Sequence, residues 1–239
     1  MHLFYDPEIS FPFHKFNEDE SKHISRVLRM QVGDHIWLTD GKGNMHKSTI
    51  YRITEKIVEI EILETYKEYE KRHYYLHIAI APTKNIDRYE WFVEKSTEIG
   101  IDEITPIICK NSERKIVKTD RLKRITEAAI KQSQKAYIPK INEAISYEKF
   151  IKSNFNQLNK FIAHCKESLQ KQYLGNYIKP KENILILIGP EGDFSKEEII
   201  SGCNNSFKEI SLGNSRLRTE TAGIVACNIV SVINVLNHK

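Results

Sequence analysis

The sequence of 239 residues contains no Cys-x-x-Cys pair, and its four cysteines, Cys109, Cys165, Cys203 and Cys227, are widely scattered. That spacing argues against a disulfide framework or a zinc ribbon and favours reduced cytoplasmic thiols. No apolar run approaches the ~20 residues of a membrane-spanning helix. The N-terminus also lacks a basic-then-apolar signal pattern, so the expectation is a cytoplasmic protein with no membrane partner. Metal-like spacing is confined to His73 and His77; this stretch reads as a strand with no further ligand nearby, so no metal site is expected. Internal repeats and low-complexity segments are absent. With 40% hydrophobic and 28% charged residues, the chain can bury a core in one large or two modest domains.

Charge is distributed unevenly. The formal net charge is +4, yet residues 1–70 hold nine Lys and Arg against 13 Asp and Glu, a net of −4. The remaining 27 basic and 19 acidic residues give residues 71–239 a net of +8. Ten basic and three acidic residues lie between Lys110 and Lys140. A basic surface suits a polyanion, but basic helices are also ordinary solvated faces, so the charge permits RNA binding without establishing it.

The most informative stretch runs from Ile184 to Gly223. Five unbroken aliphatic residues, Ile184 to Ile188, fit a strand buried on both faces, as in a parallel sheet. The chain breaks at Gly189-Pro190-Glu191-Gly192, where missing Cβ atoms let backbone amides approach a ligand. Ser195 with Glu198 is a capping-box signature that starts a helix. Glu209 to Leu212 reads as a second short strand ending at Gly213, and Arg216 to Gly223 leads into a last helix. Two strand-loop-helix units with polar loops side by side make a ligand site at the strand ends. The motif lacks the Lys-Ser/Thr ending of a phosphate-binding loop.

The segments GPEGDFS at 189–195 and LGNSRLRTETA at 212–222 resemble the two cofactor motifs of RsmE-type ribosomal RNA methyltransferases of the SPOUT superfamily. The resemblance extends to HISRVLRMQVGD at 23–34, EKSTEIGIDEITPI at 94–107 and EAAIKQSQKAYIP at 127–139. Two departures stand out: Asp193 replaces the usual second glycine of GPEGG, and Ser215-Arg216 replaces the usual Arg-Ile. The resemblance implies an α/β fold: a C-terminal SPOUT-type trefoil-knotted domain with a mostly parallel sheet, residues 71–239, preceded by a small PUA-like β-barrel, residues 1–70. It further implies a homodimer that uses S-adenosylmethionine to methylate N3 of a uridine in small-subunit (16S) ribosomal RNA, free or in an assembled particle.

Read in order, residues 2–5, 33–39, 45–54 and 57–63 look like strands, with a short helix over 19–30. Lys22, Arg26 and Arg29 then share one helical face and, with His23, form the candidate RNA-binding patch, the alternative being a solvated face. Residues 66–73 read as a linker. Strands over 75–81, 104–109 and 161–165 alternate with helices over 88–100, 120–137 and 147–155, which independently argues an α/β fold with a mostly parallel sheet. The last helix, from about 221 to 236, carries an apolar face wide enough to cover a sheet and a partner subunit.

The resemblance places the cofactor among Leu187, Ile188, Gly189, Glu191, Gly192, Ser211, Leu212, Gly213, Leu217, Thr219, Thr221 and Ala222, with adenine against Leu212 and Leu217. Uracil N3 must lose a proton before or during attack, and arginine stays protonated. Arg216 and Arg218 are therefore candidates to stabilise the developing anion, and Glu220 to orient one of them or help accept the proton. An Arg218–Glu220 ion pair bracing the loop is the alternative, and Thr219 and Thr221 also suit a helix cap. Two other functions remain open: a related enzyme that methylates another atom, and an RNA-binding assembly factor without catalysis. The N-terminal barrel and LRTETA disfavour the first; intact Gly189, Gly192 and Gly213 speak against the second.

Overall fold

Short strands with apolar residues on one side build the N-terminal part of the protein. The computed structural model describes residues 2–54, 56–155, 157–168 and 171–236. The chain divides into Met1–Lys71 with Ile130–Ile138, and Arg72–Ala129 with Pro139–Lys239.

In the first unit, β1 (Leu3–Tyr5), β2 (Phe13–Lys15), β3 (His35–Thr39), β4 (Met45–Ile53) and β5 (Val58–Tyr66) form one sheet in the order β1-β3-β4-β5-β2. Val58 and Ile60 alternate with half-buried glutamates and, with Phe4, Phe16, Ile36, Leu38 and Ile50, form its core. Ile130–Ile138 joins this unit although the sequence grouped it with the second domain. The reason is hydrogen bonding: Gly43 N–H donates to Ala136 O at 2.9 Å and Ile138 N–H to Gly41 O at 2.9 Å. Gly43, at φ +102, lets Tyr137 approach so closely that any Cβ there would overlap its ring.

The expected helix over 19–30 is two different pieces. An α-helix, α1 (Glu18–Lys22), is capped by the Asn17 side chain, and residues His23–Val27 wind as a π-helix. Ser25 Oγ donates to the Ser21 carbonyl at 2.8 Å, so a side chain occupies an acceptor that α-helical winding would use. The wider turn and the left-handed Arg29 (φ +53) mean that Lys22, Arg26 and Arg29 do not follow the i, i+4, i+7 spacing of an α-helical face.

The second unit is built on β6 (Leu76–Ile80), β7 (Glu103–Ile108), β8 (Lys140–Ile141), β9 (Ile145–Ser146), β10 (Asn159–Ala163), β11 (Gln172–Tyr173), β12 (Ile184–Ile188) and β13 (Lys208–Ser211). Every recorded pairing among them is parallel, in the order β11-β13-β10-β12-β6-β7-β8, with β9 extending the pairing of β7. Helices cover both faces. On one side, Ile184, Ile186 and Ile188 pack with α2 (Ile86–Ile99) and α6 (Thr219–Leu236). On the other, Leu185 and Leu187 pack with Tyr147 and Phe150 of α4 (Tyr147–Phe150), Phe194, and Ile199 of α5 (Lys196–Asn204). Burial on both sides explains the unbroken ILILI run. A long helix, α3 (Thr119–Ser133), ends in the residues that join the first unit.

Helix α6 has a mean hydropathy of 1.5 over 18 residues, which by length and composition alone would suffice to cross a membrane, a test that the core helix of a globular protein also passes. Its packing accounts for that apolarity. Gly223 lets it approach α2 so closely that an added Cβ would lie 2.5 Å from the Phe92 ring.

His77, half of the suspected metal spacing, is buried on β6, with Nε2 2.7 Å from Thr105 Oγ1 and its ring edge-on to Phe150. Among the described residues no three His, Cys, Asp or Glu side chains gather as metal ligands. Burial lowers the His77 pKa to about 4. Between that value and the ordinary ~6.5 the unfolded chain binds more protons, so this stability is complete above pH ~6.5 and is lost as pH falls toward 4. Chemical denaturation should show up to about 3 kcal/mol lost across that window from this group, and His77→Gln should flatten the slope.

Candidate active site

Parallel register sets the site. Ile188 is level with Ile80 on one side and Ala163 on the other, and Ala163 is level with Ile210. Three strands therefore end along one edge, and the loops leaving β12, β10 and β13 surround a cavity of about 750 Å³. Its walls include Ile188, Gly189, Glu191, Ser211, Leu212, Gly213, Arg216, Leu217, Arg218, Thr219 and Ala222 of the sequence candidates. Leu187, Gly192, Glu220 and Thr221 lie outside this lining. Leu187 points into the opposite core with Phe194, and Gly192 packs against Asn111.

The two motif loops are separated by β10, which lies between β12 and β13. Ala163, His164 and Cys165 therefore join the wall, together with Lys171, Pro190 and Asp193. The β10 strand was legible from its apolar run; its place in the sheet was not, because strand order leaves no local signature.

Hydrogen bonds hold the first loop in shape. Asp193 N–H closes a turn on Pro190 O at 2.8 Å, and Lys84 N–H donates to Glu191 Oε1 at 2.8 Å. Asn111 Nδ2 donates to the Gly192 and Asp193 carbonyls at 3.2 and 3.0 Å. A Cβ on Gly189 would lie 3.1 Å from Phe194 N, a close approach only glycine makes without displacement. Ser195 and Glu198 form the expected capping box at the start of α5. The second loop is tied to the first by Thr219, whose buried Oγ1 donates to Gly189 O at 3.0 Å. This hydroxyl latches two loops, where a helix cap was the alternative expectation.

Charged groups are sorted by burial. Arg216 and Arg218 are exposed and line the cavity, and their guanidinium groups have no ion-pair or hydrogen-bond partner among the described residues. Glu220 is buried and lies 3.9 Å from Arg88 Nε of α2; it does not pair with Arg218. Its Oε2 is closed to solvent and has no partner among the described residues. His164 places Nε2 2.8 Å from Glu209 Oε2. Burial lowers its pKa, with the Glu209 bond opposing, and Nδ1 is buried without a partner among the described residues.

The candidate RNA patch belongs to the first unit. Lys22 is ion-paired with Glu18 at 2.9 Å, while His23, Arg26 and Arg29 are exposed. Along the basic Lys110–Lys140 stretch, Lys110, Arg121, Lys123, Lys131 and Lys140 each lie within 4.0 Å of a carboxylate. Local pairing thus offsets half of its ten positive charges.

The donor set suits an organic ligand with apolar and cationic parts. Leu212, Leu217 and Ala222 offer apolar contact, loop main chain offers polar contact, and Glu191 and Asp193 supply negative charge.

A family model described as "RNA methyltransferase domain" matches residues 70–231, and one described as "RNA methyltransferase PUA domain" matches residues 16–63. The structure resembles that of a probable rRNA-methyltransferase from Porphyromonas gingivalis at TM-score 0.92, with 39% identity and 99% of each chain covered. It also resembles ribosomal RNA small subunit methyltransferase E from Neisseria gonorrhoeae bound to S-adenosyl methionine, at TM-score 0.88 and 25% identity, covering 98% of each chain. A curated relative of the same designation, from Buchnera aphidicola, is 29% identical over 88% of this chain and 85% of its own length.

The Thr219 latch generates a test. Thr219→Val keeps the shape but leaves the Gly189 carbonyl without its donor, and urea denaturation should show about 1–3 kcal/mol lost. Thr219→Ser should recover most of it.

Proposed function

The chain belongs to the RsmE-type RNA methyltransferase family, and from that premise we propose that it methylates N3 of a uridine in small-subunit ribosomal RNA, using S-adenosylmethionine. The observation that carries this reading is the cavity at the strand ends, walled by both family motifs and lined by Arg216 and Arg218. When bound, S-adenosylmethionine supplies an activated methyl group. Close approach at Gly189 and the open backbone at Gly213 (φ +131) suit main-chain recognition, while Leu212 and Leu217 suit the adenine ring. Glu191 favours a cationic ligand through its charge.

Uracil becomes a good nucleophile at N3 only as its proton leaves. Arg216 and Arg218 stay protonated and bond a uracil oxygen or a phosphate, stabilising the negative charge that develops. Glu220 serves through Arg88, holding a third cation beside the first turn of α6. Methyl transfer otherwise requires alignment, which the mutually tied loops provide.

RNA recognition is divided between the units in this reading. His23, Arg26 and Arg29 present exposed cationic or polar groups on an otherwise acidic segment, which supports contact with phosphates. Val232, Val235 and Leu236 are exposed on the last turns of α6, which supports a homodimer there; sedimentation of a monomer at tens of micromolar would contradict it.

Nucleoside mass spectrometry of small-subunit RNA treated with the protein should show 3-methyluridine; a 2′-O-methyl product would favour the related-enzyme reading. Arg218→Ala should lower single-turnover rate by about 100-fold while cofactor binding persists. Replacing Arg26 and Arg29 together should weaken RNA binding and reduce its salt dependence by up to about two units of log-log slope. Unchanged RNA affinity and slope would remove that patch from the interface.

A further inference from the structure

Asp193 stands where the family motif has glycine, in a left-handed conformation (φ +61) that aspartate adopts less readily than glycine. Its place is defined by four hydrogen bonds from three segments. Two involve its main chain: N–H to Pro190 O at 2.8 Å, and O from Asn111 Nδ2 at 3.0 Å. Glycine would make both. The other two need the carboxylate: Oδ1 accepts from Phe194 N–H at 2.8 Å, and Oδ2 accepts from Cys165 N–H at 3.0 Å.

The bond to Cys165 connects the loop after β12 to the loop after β10, and both loops line the cavity. Cys165 follows the pocket residues Ala163 and His164, so its amide marks where that wall leaves the sheet. Lys171 Nζ donates to the His164 carbonyl at 3.3 Å, a bond that arises from the same segment. His164 and Ser168 bond Glu209 of β13 from this wall at 2.8 and 2.9 Å, and Asp193 ties the same wall to the loop after β12.

We propose that Asp193 is a positioning residue for the cofactor, its carboxylate fixing the β10 loop against the β12 loop so that the third wall of the pocket is preformed. The proposal rests on reading this cavity as the S-adenosylmethionine site. A preformed wall lowers the ordering cost that ligand binding would otherwise bear. Its loss therefore appears in cofactor affinity, while the arginines that serve the chemistry remain unchanged.

The test uses the full chain, S-adenosylmethionine and the variants Asp193→Gly and Asp193→Asn. Glycine suits the backbone conformation, so Asp193→Gly should fold with a melting temperature near that of the parent. Its dissociation constant for S-adenosylmethionine should rise about tenfold, the scale of one charge-assisted hydrogen bond. Cofactor KM should follow, kcat at saturating cofactor should stay within about twofold, and the Cys165 amide should exchange hydrogen faster. Asp193→Asn, which retains one acceptor oxygen and tolerates left-handed backbone, should fall between glycine and the parent. A merely structural role would reduce the number of folded binding sites without changing the dissociation constant of those that remain. If Asp193→Gly binds with unchanged affinity, or the Cys165 amide remains equally protected, the proposal is overturned. If the parent itself does not bind S-adenosylmethionine, the cofactor reading fails first.

Discussion

The pairing of β12 between β10 and β6 is the constraint on which the rest depends. Because both neighbours are parallel and in register, Ala163, Ile188 and Ile80 end at the same level. The site is thus located by main-chain hydrogen bonds, before any polar side chain contributes. The apolar residues of β12 face two cores at once, which makes this strand hard to displace. A rigid edge of this kind lets loops of glycine, proline and polar residues hold a definite shape.

Loop-to-loop bonds then convert an edge into a pocket. Thr219 reaches Gly189, Asn111 reaches Gly192 and Asp193, and Asp193 reaches Cys165. Each bond crosses between segments far apart in sequence. The guanidinium groups of Arg216 and Arg218 line the cavity outside this network. Glu220, by contrast, is drawn into the packed interior beside Arg88, which limits how it can act on substrate directly.

Much of this was legible from sequence where the signal was local. The ILILI run, the Ser195–Glu198 cap and the wide apolar face of α6 each depend on residues within a few turns. What escaped depended on partners distant in the chain. Nothing near Phe161 indicates that β10 separates β12 from β13, and nothing near Ala136 indicates its bond to Gly43. The π-helix at His23–Val27 escaped for another reason: the periodicity of apolar residues cannot register a serine hydroxyl competing for one carbonyl. Asp193 looked like a departure from a motif, and its carboxylate is used in full.

The central claim, that loops after β10, β12 and β13 together hold S-adenosylmethionine, is tested most directly by hydrogen exchange of the full chain with and without that compound. The account predicts slowed exchange in residues 164–165, 189–193 and 211–219, unaffected by a metal chelator, with the strands of 35–66 unchanged. Protection confined to another surface, or no protection at saturating concentration, would contradict it.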